Sequence, residues 1–436
     1  MRVTLQISLK NPKKVKQQLL LWSQQFQEVV WFDSNHYQTN YSEYDAILAV
    51  DAFTLLQTDS QHAFQKLEEY QTTTNDWIFG YLSYDLKNDV EKLTSQNFDG
   101  LHFPELYFFQ PKKLFFLKEN TLEIHYLPAV DDELEADVET ILNIEIDVEV
   151  FTYQDSNKEN RPKIKLRIHK DEYHEKVNAL LAHIHRGDIY EANFCQEFYA
   201  ENAQIDPLST YTHLNSISKP PFATYMRLAD KYILSASPER YIKKKGNKVI
   251  SQPIKGTAKR NENPVQDQKM AEQLRTDVKE RAENVMIVDL VRNDLAKTAI
   301  KGSVQVEELC KIYTFDQVHQ MISTVTSEVT EAQNPIEILQ TTFPMGSMTG
   351  APKISAMQII ENLEETKRGI YSGAIGYFTP TNDFDFNVVI RSILYNSTEK
   401  YVSYSVGSAI TAKSSPEKEY EECLIKAKAM REALEL

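Results

Sequence analysis

The chain has 436 residues, enough for one large domain or two or three ordinary ones. An apolar fraction of 42 % supports a sizeable core, and 25 % charged residues suit a solvated surface. The formal net charge of −15 excludes a broad electrostatic grip on nucleic acid, though not a locally basic pocket for a small anion.

From the N-terminus, NPKKVKQQLLLWSQQF predicts a helix with Asn11 as N-cap and Pro12 at its first position. AILAVDAF and WIFGYLSYDL predict strands, LYFFQ and KLFFL a hairpin, and LEIHYL a further strand. Residues 130–147 are acidic and helix-like. The polar stretch VFTYQDSNKENRPK, with Pro162, predicts a linker at about 150–165, dividing the chain into 1–150 and 165–436. KIKLRI then predicts a strand, followed by a helix in which Tyr173, Val177, Leu180, Leu181 and Ile184 share one face and which Gly187 ends. IYEANFCQEFYA, FATYMRL, KYILSAS, RYIKKKG and KVISQPI predict strands. After them come a long helical stretch over 264–297, the strand QVHQMISTVTSEV and the helix PKISAMQIIENL. Three strands near 370–410 and a last helix from about Pro416 to Leu434 close the chain. Strand runs interrupted by long helices predict an α+β fold with large, mostly antiparallel sheets.

The opening MRVTLQISLKNPKK lacks the apolar core of a secretory signal, and no run of about 18 apolar residues predicts a membrane span. Cys195, Cys310 and Cys423 are too few and too scattered for a disulfide framework or a Cys-based zinc site, so a reducing cytoplasm is expected.

Two segments carry paired carboxylates. In PEKEYEECLIKAKAM, Glu419, Glu422 and Lys426 fall on one helical face; in DVKERAENVMIVDLVRNDLAK, Glu280 and Glu283 are three apart. Either alone reads as a solvated helix with ordinary surface charges. One carboxylate from each, with water and an anionic substrate, would make an oxygen shell suited to Mg²⁺. In SQPIKGTAKR, Lys255 lies between Ile254 and Gly256, and glycine lets the backbone approach a ligand closely. Desolvation there would lower the lysine pKa and free the amine as a nucleophile. The plainer reading is a lysine in a β-turn. It is not a phosphate loop, whose lysine follows a glycine and spacer residues.

Nine segments occur in a family-like order: GDIYEANFCQEF (187–198), SPERY (237–241), PIKGTAKR (253–260), KERAENVMIVDLVRNDL (279–295), VHQMIST (318–324), FPMGSMTGAPKISAMQII (343–360), RGIYSGAIGYF (368–378), FNVVIRSI (386–393) and EKEYEECLIKA (417–427). On them the chain resembles the chorismate-utilising enzymes, which include anthranilate, aminodeoxychorismate, isochorismate and salicylate synthases. YSEYDAILAV and FGYLSYDL look like the N-terminal part of the component I subunits. The resemblance implies a sandwich of large sheets with helices outside. Lys255 resembles the aminodeoxychorismate synthase branch, since anthranilate synthases have a small residue there. Isochorismate and salicylate synthases use a different lysine, which activates water, and its counterpart here is Glu191. Amine-adding relatives often carry glutamine at that position, so Glu191 departs from them, with no role implied beyond a supporting hydrogen bond.

The resemblance also implies roles. Glu283 and Glu422 would bind Mg²⁺, and Glu280 and Glu419 would hold its waters. Glu239 would protonate the departing C4 hydroxyl of chorismate, Lys255 would attack C2, and ammonia would then displace it to give 4-amino-4-deoxychorismate, on the route to 4-aminobenzoate and folate. Arg391 and Tyr371, with backbone N–H groups near Gly407 and Ala409, would take the enolpyruvyl carboxylate. Lys426 would add positive charge near the ring carboxylate, and His319, Thr257, Gly256 and Ser347 would complete the pocket. Ala409 stands where family members often have glycine, and a positive φ there would be strained. None of the three cysteines sits in the Gly-x-Cys-x-Gly elbow of a class I glutaminase, so ammonia is expected from a separate glutamine amidotransferase subunit in a heterodimer. The alternatives are an anthranilate synthase component I and a non-catalytic chorismate-binding regulatory subunit.

Overall fold

The computed structural model describes residues 2–37, 41–146 and 161–435, so most of the expected linker lies outside the described residues. Local rules act as expected at several ends. Asn11 caps the helix Pro12–Trp22, its side chain accepting from the Lys14 N–H, and Pro12 lies where a missing N–H costs nothing. The helix Lys170–Arg186 buries Tyr173, Val177, Leu180 and Ile184, with Leu181 partly buried beside them. It stops at Gly187, whose φ of +88° suits glycine.

Twenty strands form one hydrogen-bonded network among the described residues, with antiparallel ladders. Side chains alternate between its two faces. Val29, Trp31, Leu48, Phe115 and Phe194 pack with apolar residues of the helices Pro12–Trp22, Lys170–Arg186, Pro207–Ser218 and Pro416–Glu435. Their neighbours Val30, Ile47, Phe116 and Cys195 face a second core with Phe79, Phe108, Ile242, Val325 and Phe386. Helices thus pack on the sheet faces, and strands from distant parts of the chain, with further helices such as Val278–Ala296, build the second core: an α+β sandwich. The Glu28–Asp33 strand pairs with Phe222–Leu228, and Ile78–Leu82 with Ala374–Phe378, so N-terminal and C-terminal segments share one sheet.

Three expectations change. LYFFQ and KLFFL are not a hairpin but one strand, Leu106–Lys118. Pro111 sits opposite Ala52, where the partner's register shifts, so its missing donor falls at an irregularity. The stretch 264–297 is two helices, Pro264–Thr276 and Val278–Ala296. Asp277 separates them with extended backbone, and its carboxylate accepts from the Glu280 N–H at 2.9 Å, capping the second. The strands near 370–410 number four, ending with Tyr401–Thr411. The strand Gln305–Thr314 escapes the sequence reading because most of it is exposed and carries no clean apolar alternation. No helix of the described residues is long and apolar enough to cross a membrane.

Candidate active site

A cavity of about 540 Å³ opens where the strands Ile254–Lys259 and Tyr401–Thr411 meet the helices Val278–Ala296 and Pro416–Glu435. Lys255, Gly256 and Thr257 line it from the first strand, and Glu280 and Glu283 from the first helix. Glu419, Glu422 and Lys426 come from the second helix, and Gly407 and Ala409 from the Tyr401–Thr411 strand. Glu239, Ser347, Tyr371 and Arg391 complete the set.

Glycine is required at two of these positions. A Cβ on Gly256, whose φ is +91°, would meet the Glu280 side chain at 3.1 Å, so glycine lets the lysine strand lie against the acidic helix. A Cβ on Gly407 would reach Cys195 Sγ at 2.8 Å and Asn193 Oδ1 at 2.9 Å. Ala409 shows no positive φ and pairs regularly with Asn193, so its methyl brings no backbone strain.

Glu239 follows the strand Lys231–Ser237 and is 5 % exposed. Burial pushes its carboxyl up to about 7, against the opposing pull of the Ser347 hydroxyl and the Lys255 charge. Lys255 departs from expectation. Burial does disfavour its charge, but Glu191, Glu283 and Glu239 outweigh burial and hold the amine above its ordinary pKa. Its Nζ donates to Glu191 Oε1 at 3.2 Å. The expected lowering fails because the lysine is buried among carboxylates, not among apolar groups.

Lys426 pairs with Glu422 at 2.6 Å and donates to the Gly407 carbonyl at 2.8 Å. Burial opposes the Glu422 charge, but Lys426 wins and holds its carboxyl below the usual range. Ser408 hydrogen-bonds Glu419. Arg391 takes a φ of +54°, rare outside glycine, and donates to the Lys426 carbonyl at 3.2 Å. Tyr371 accepts from the Cys195 thiol at 3.9 Å. His319 is placed elsewhere. Val318 and Gln320 line the cavity, and strand alternation turns His319 to the other face, where its ring bonds Asp267 and Thr314, each at 3.0 Å.

The sequence model of the chorismate binding enzymes matches residues 16–432. The chain belongs to this family. It is similar to the anthranilate synthase component I-like protein of Synechocystis, with 34 % identity over 82 % of this chain and 72 % of that protein. It is also similar to aminodeoxychorismate synthase component 1 of Bacillus subtilis, with 31 % identity over 88 % of this chain and 81 % of that one. Its fold matches that of anthranilate synthase component I from Streptococcus pneumoniae, with a TM-score of 0.77 at 24 % identity, covering 90 % and 93 % of the two chains.

For a chorismate-binding enzyme the acidic side of this cavity needs an account. Among the described residues, no three His, Cys, Asp or Glu side chains form a ready-made metal cage. Glu283 Oε1 is nevertheless buried without a hydrogen-bond partner, and the Lys279 ammonium stands 3.7 Å away. Burial raises Glu283 to about 7 and raises Glu280 as well, since nearby lysines offset the cost only in part. An orphaned carboxylate oxygen in a mouth of oxygen donors fits Mg²⁺, which needs one or two carboxylates and keeps its waters. Sequence reasoning missed Lys279 and Asn193, which also line the cavity. Lys279 adjoins Glu280 and stands four residues before Glu283, a spacing that could have flagged it.

Proposed function

We propose that this chorismate-binding enzyme is the component I subunit of an aminodeoxychorismate synthase, converting chorismate and ammonia to 4-amino-4-deoxychorismate for 4-aminobenzoate and folate synthesis. One observation carries the reading: a lysine amine, Lys255, and a carboxyl that titrates near 7, Glu239, line the same cavity. A general acid works best with a pKa near the operating pH.

Mg²⁺ held by Glu283 and Glu422, with Glu280 and Glu419 holding its waters, would offset the charge of the ring carboxylate and draw electrons from the ring. Glu239 gives its proton to the C4 hydroxyl, which leaves as water while the neutral Lys255 amine bonds to C2 and the ring double bonds shift. Ammonia then bonds to C4, and Nζ leaves C2 with its electron pair. The surplus proton on the new amine returns to Glu239. Two displacements retain configuration at C4. Arg391 and Tyr371, with the backbone near Gly407 and Ala409, orient the enolpyruvyl carboxylate, and Lys426 faces the ring carboxylate; Gly256, Thr257 and Ser347 shape the wall. His319 acts at one remove, bracing the strand whose neighbours Val318 and Gln320 face the cavity.

Ammonia comes from a separate glutamine amidotransferase subunit. Cys195, Cys310 and Cys423 are all buried, and burial raises each thiol, so none is poised as the thiolate that glutamine hydrolysis requires. The test is product analysis with chorismate, Mg²⁺ and ammonium. 4-Amino-4-deoxychorismate is expected. Anthranilate would overturn the reading in favour of the function that the name of the Synechocystis relative suggests.

A further inference from the structure

The cationic state of Lys255 leaves a gap in this chemistry. An ammonium has no lone pair, so the amine must shed a proton before it can attack C2. A dianionic substrate arriving in front of it would only hold that proton more firmly.

We propose that Glu191 is the base that takes the proton from Lys255, the two forming a nucleophile–base pair; this rests on the reading of Lys255 as the nucleophile. A nucleophile and base within hydrogen-bond reach is the geometric signature of such a pair. Nζ lies 3.2 Å from Glu191 Oε1, and among the described residues this is the one ion pair within 4.0 Å that Lys255 makes. Lys255 lines the cavity, and Glu191, 1 % exposed, is buried against the amine. The Glu191 backbone is pinned by ladders on both sides, opposite Thr411 and opposite Ala351. Among the described residues its second oxygen, Oε2, is buried without a hydrogen-bond partner, so none of their donors competes for that oxygen. The other carboxylates near Lys255 have other work: Glu239 delivers its proton to the C4 oxygen, and Glu283 would hold the metal.

The proton balance closes. One proton moves from Nζ to Glu191, and the neutral amine then bonds to C2. When the nitrogen leaves C2 it carries away its electron pair as a neutral amine, and Glu191 returns the proton. Nothing that Glu191 carries enters the product. Glutamine, nearly the same shape, cannot accept a proton in this way.

The experiment mixes the full chain with chorismate and Mg²⁺ without ammonia and follows the mass added at Lys255 by quenched intact-protein mass spectrometry. Glu191→Gln, nearly isosteric, should slow adduct formation about 100-fold, within the range general-base groups supply. Its KM for chorismate in the ammonium reaction should stay within about threefold, and Glu191→Asp should recover much of the adduct rate. A Gln variant that forms adduct as fast as the parent, or an Asp variant as slow as Gln, would overturn the proposal while leaving Lys255 as nucleophile. An unmodified parent chain that still makes aminodeoxychorismate would instead remove the covalent reading, and the base with it.

Discussion

Replacing Glu239 by glutamine separates what the buried carboxyl does for catalysis from what it costs in stability. Burial moves this carboxyl from 4.5 to about 7 in the folded protein. At about 1.4 kcal/mol per pKa unit, the folded state bears a penalty of about 3 kcal/mol once the group is charged. The side chain is 5 % exposed, so solvent screening takes little from that figure. Between the two pKa values the folded chain keeps a proton that the unfolded chain has lost. Stability therefore falls as pH rises through that window and levels off above about 7. Glu239→Gln abolishes this titration. The variant should be more stable than the parent by about 3 kcal/mol at pH 8.5, and by less than about 1 kcal/mol at pH 5. Activity with ammonium should fall by about 10²- to 10⁴-fold, because an amide cannot protonate the leaving hydroxyl. Urea denaturation of both proteins at the two pH values, with steady-state rates alongside, measures both effects. A stability gain equal at pH 5 and pH 8.5, or a loss at pH 8.5, refutes the buried-charge argument; full activity refutes the role as acid.

Lys255→Ala should abolish the covalent adduct and most of the ammonium-dependent rate, and Lys255→Arg should rescue neither, since guanidinium stays protonated; peptide mapping and product assays check both. Glu283→Gln and Glu422→Gln should each remove most activity and weaken the Mg²⁺ titration, whereas Glu280→Gln and Glu419→Gln should cost about 10- to 100-fold. An unchanged Mg²⁺ titration in the Glu422 variant would displace the metal from that helix. Gly407→Ala should destabilise by about 1–3 kcal/mol, because its methyl would lie 2.8 Å from Cys195 Sγ, and adding Cys195→Ala should recover part of that loss in a melting experiment. The purified chain should use ammonium and leave glutamine untouched; glutamine-dependent turnover by this chain alone would refute the need for an amidotransferase partner.

Features set by short-range rules were legible in the sequence. The Asn11–Pro12 helix start and the Gly187 helix stop depend on a handful of adjacent residues, and each lies where cap chemistry puts it. The motifs named candidate site residues, and the fold brings those other than His319 and Glu191 to line one cavity. What sequence could not decide was how those residues face and charge one another. His319 points away because a strand has two faces and only the pairing selects which one meets the cavity. One long helical stretch became two helices because a single Asp277 carboxylate caps the second. Lys255 shows the limit most clearly. Local apolar neighbours argue for a depressed pKa, yet Glu191, 64 residues away in sequence, stands 3.2 Å from the amine and, with Glu283 and Glu239, reverses the sign. A pKa sums burial and charge over every group nearby, and those groups come from strands and helices that only the tertiary fold brings together.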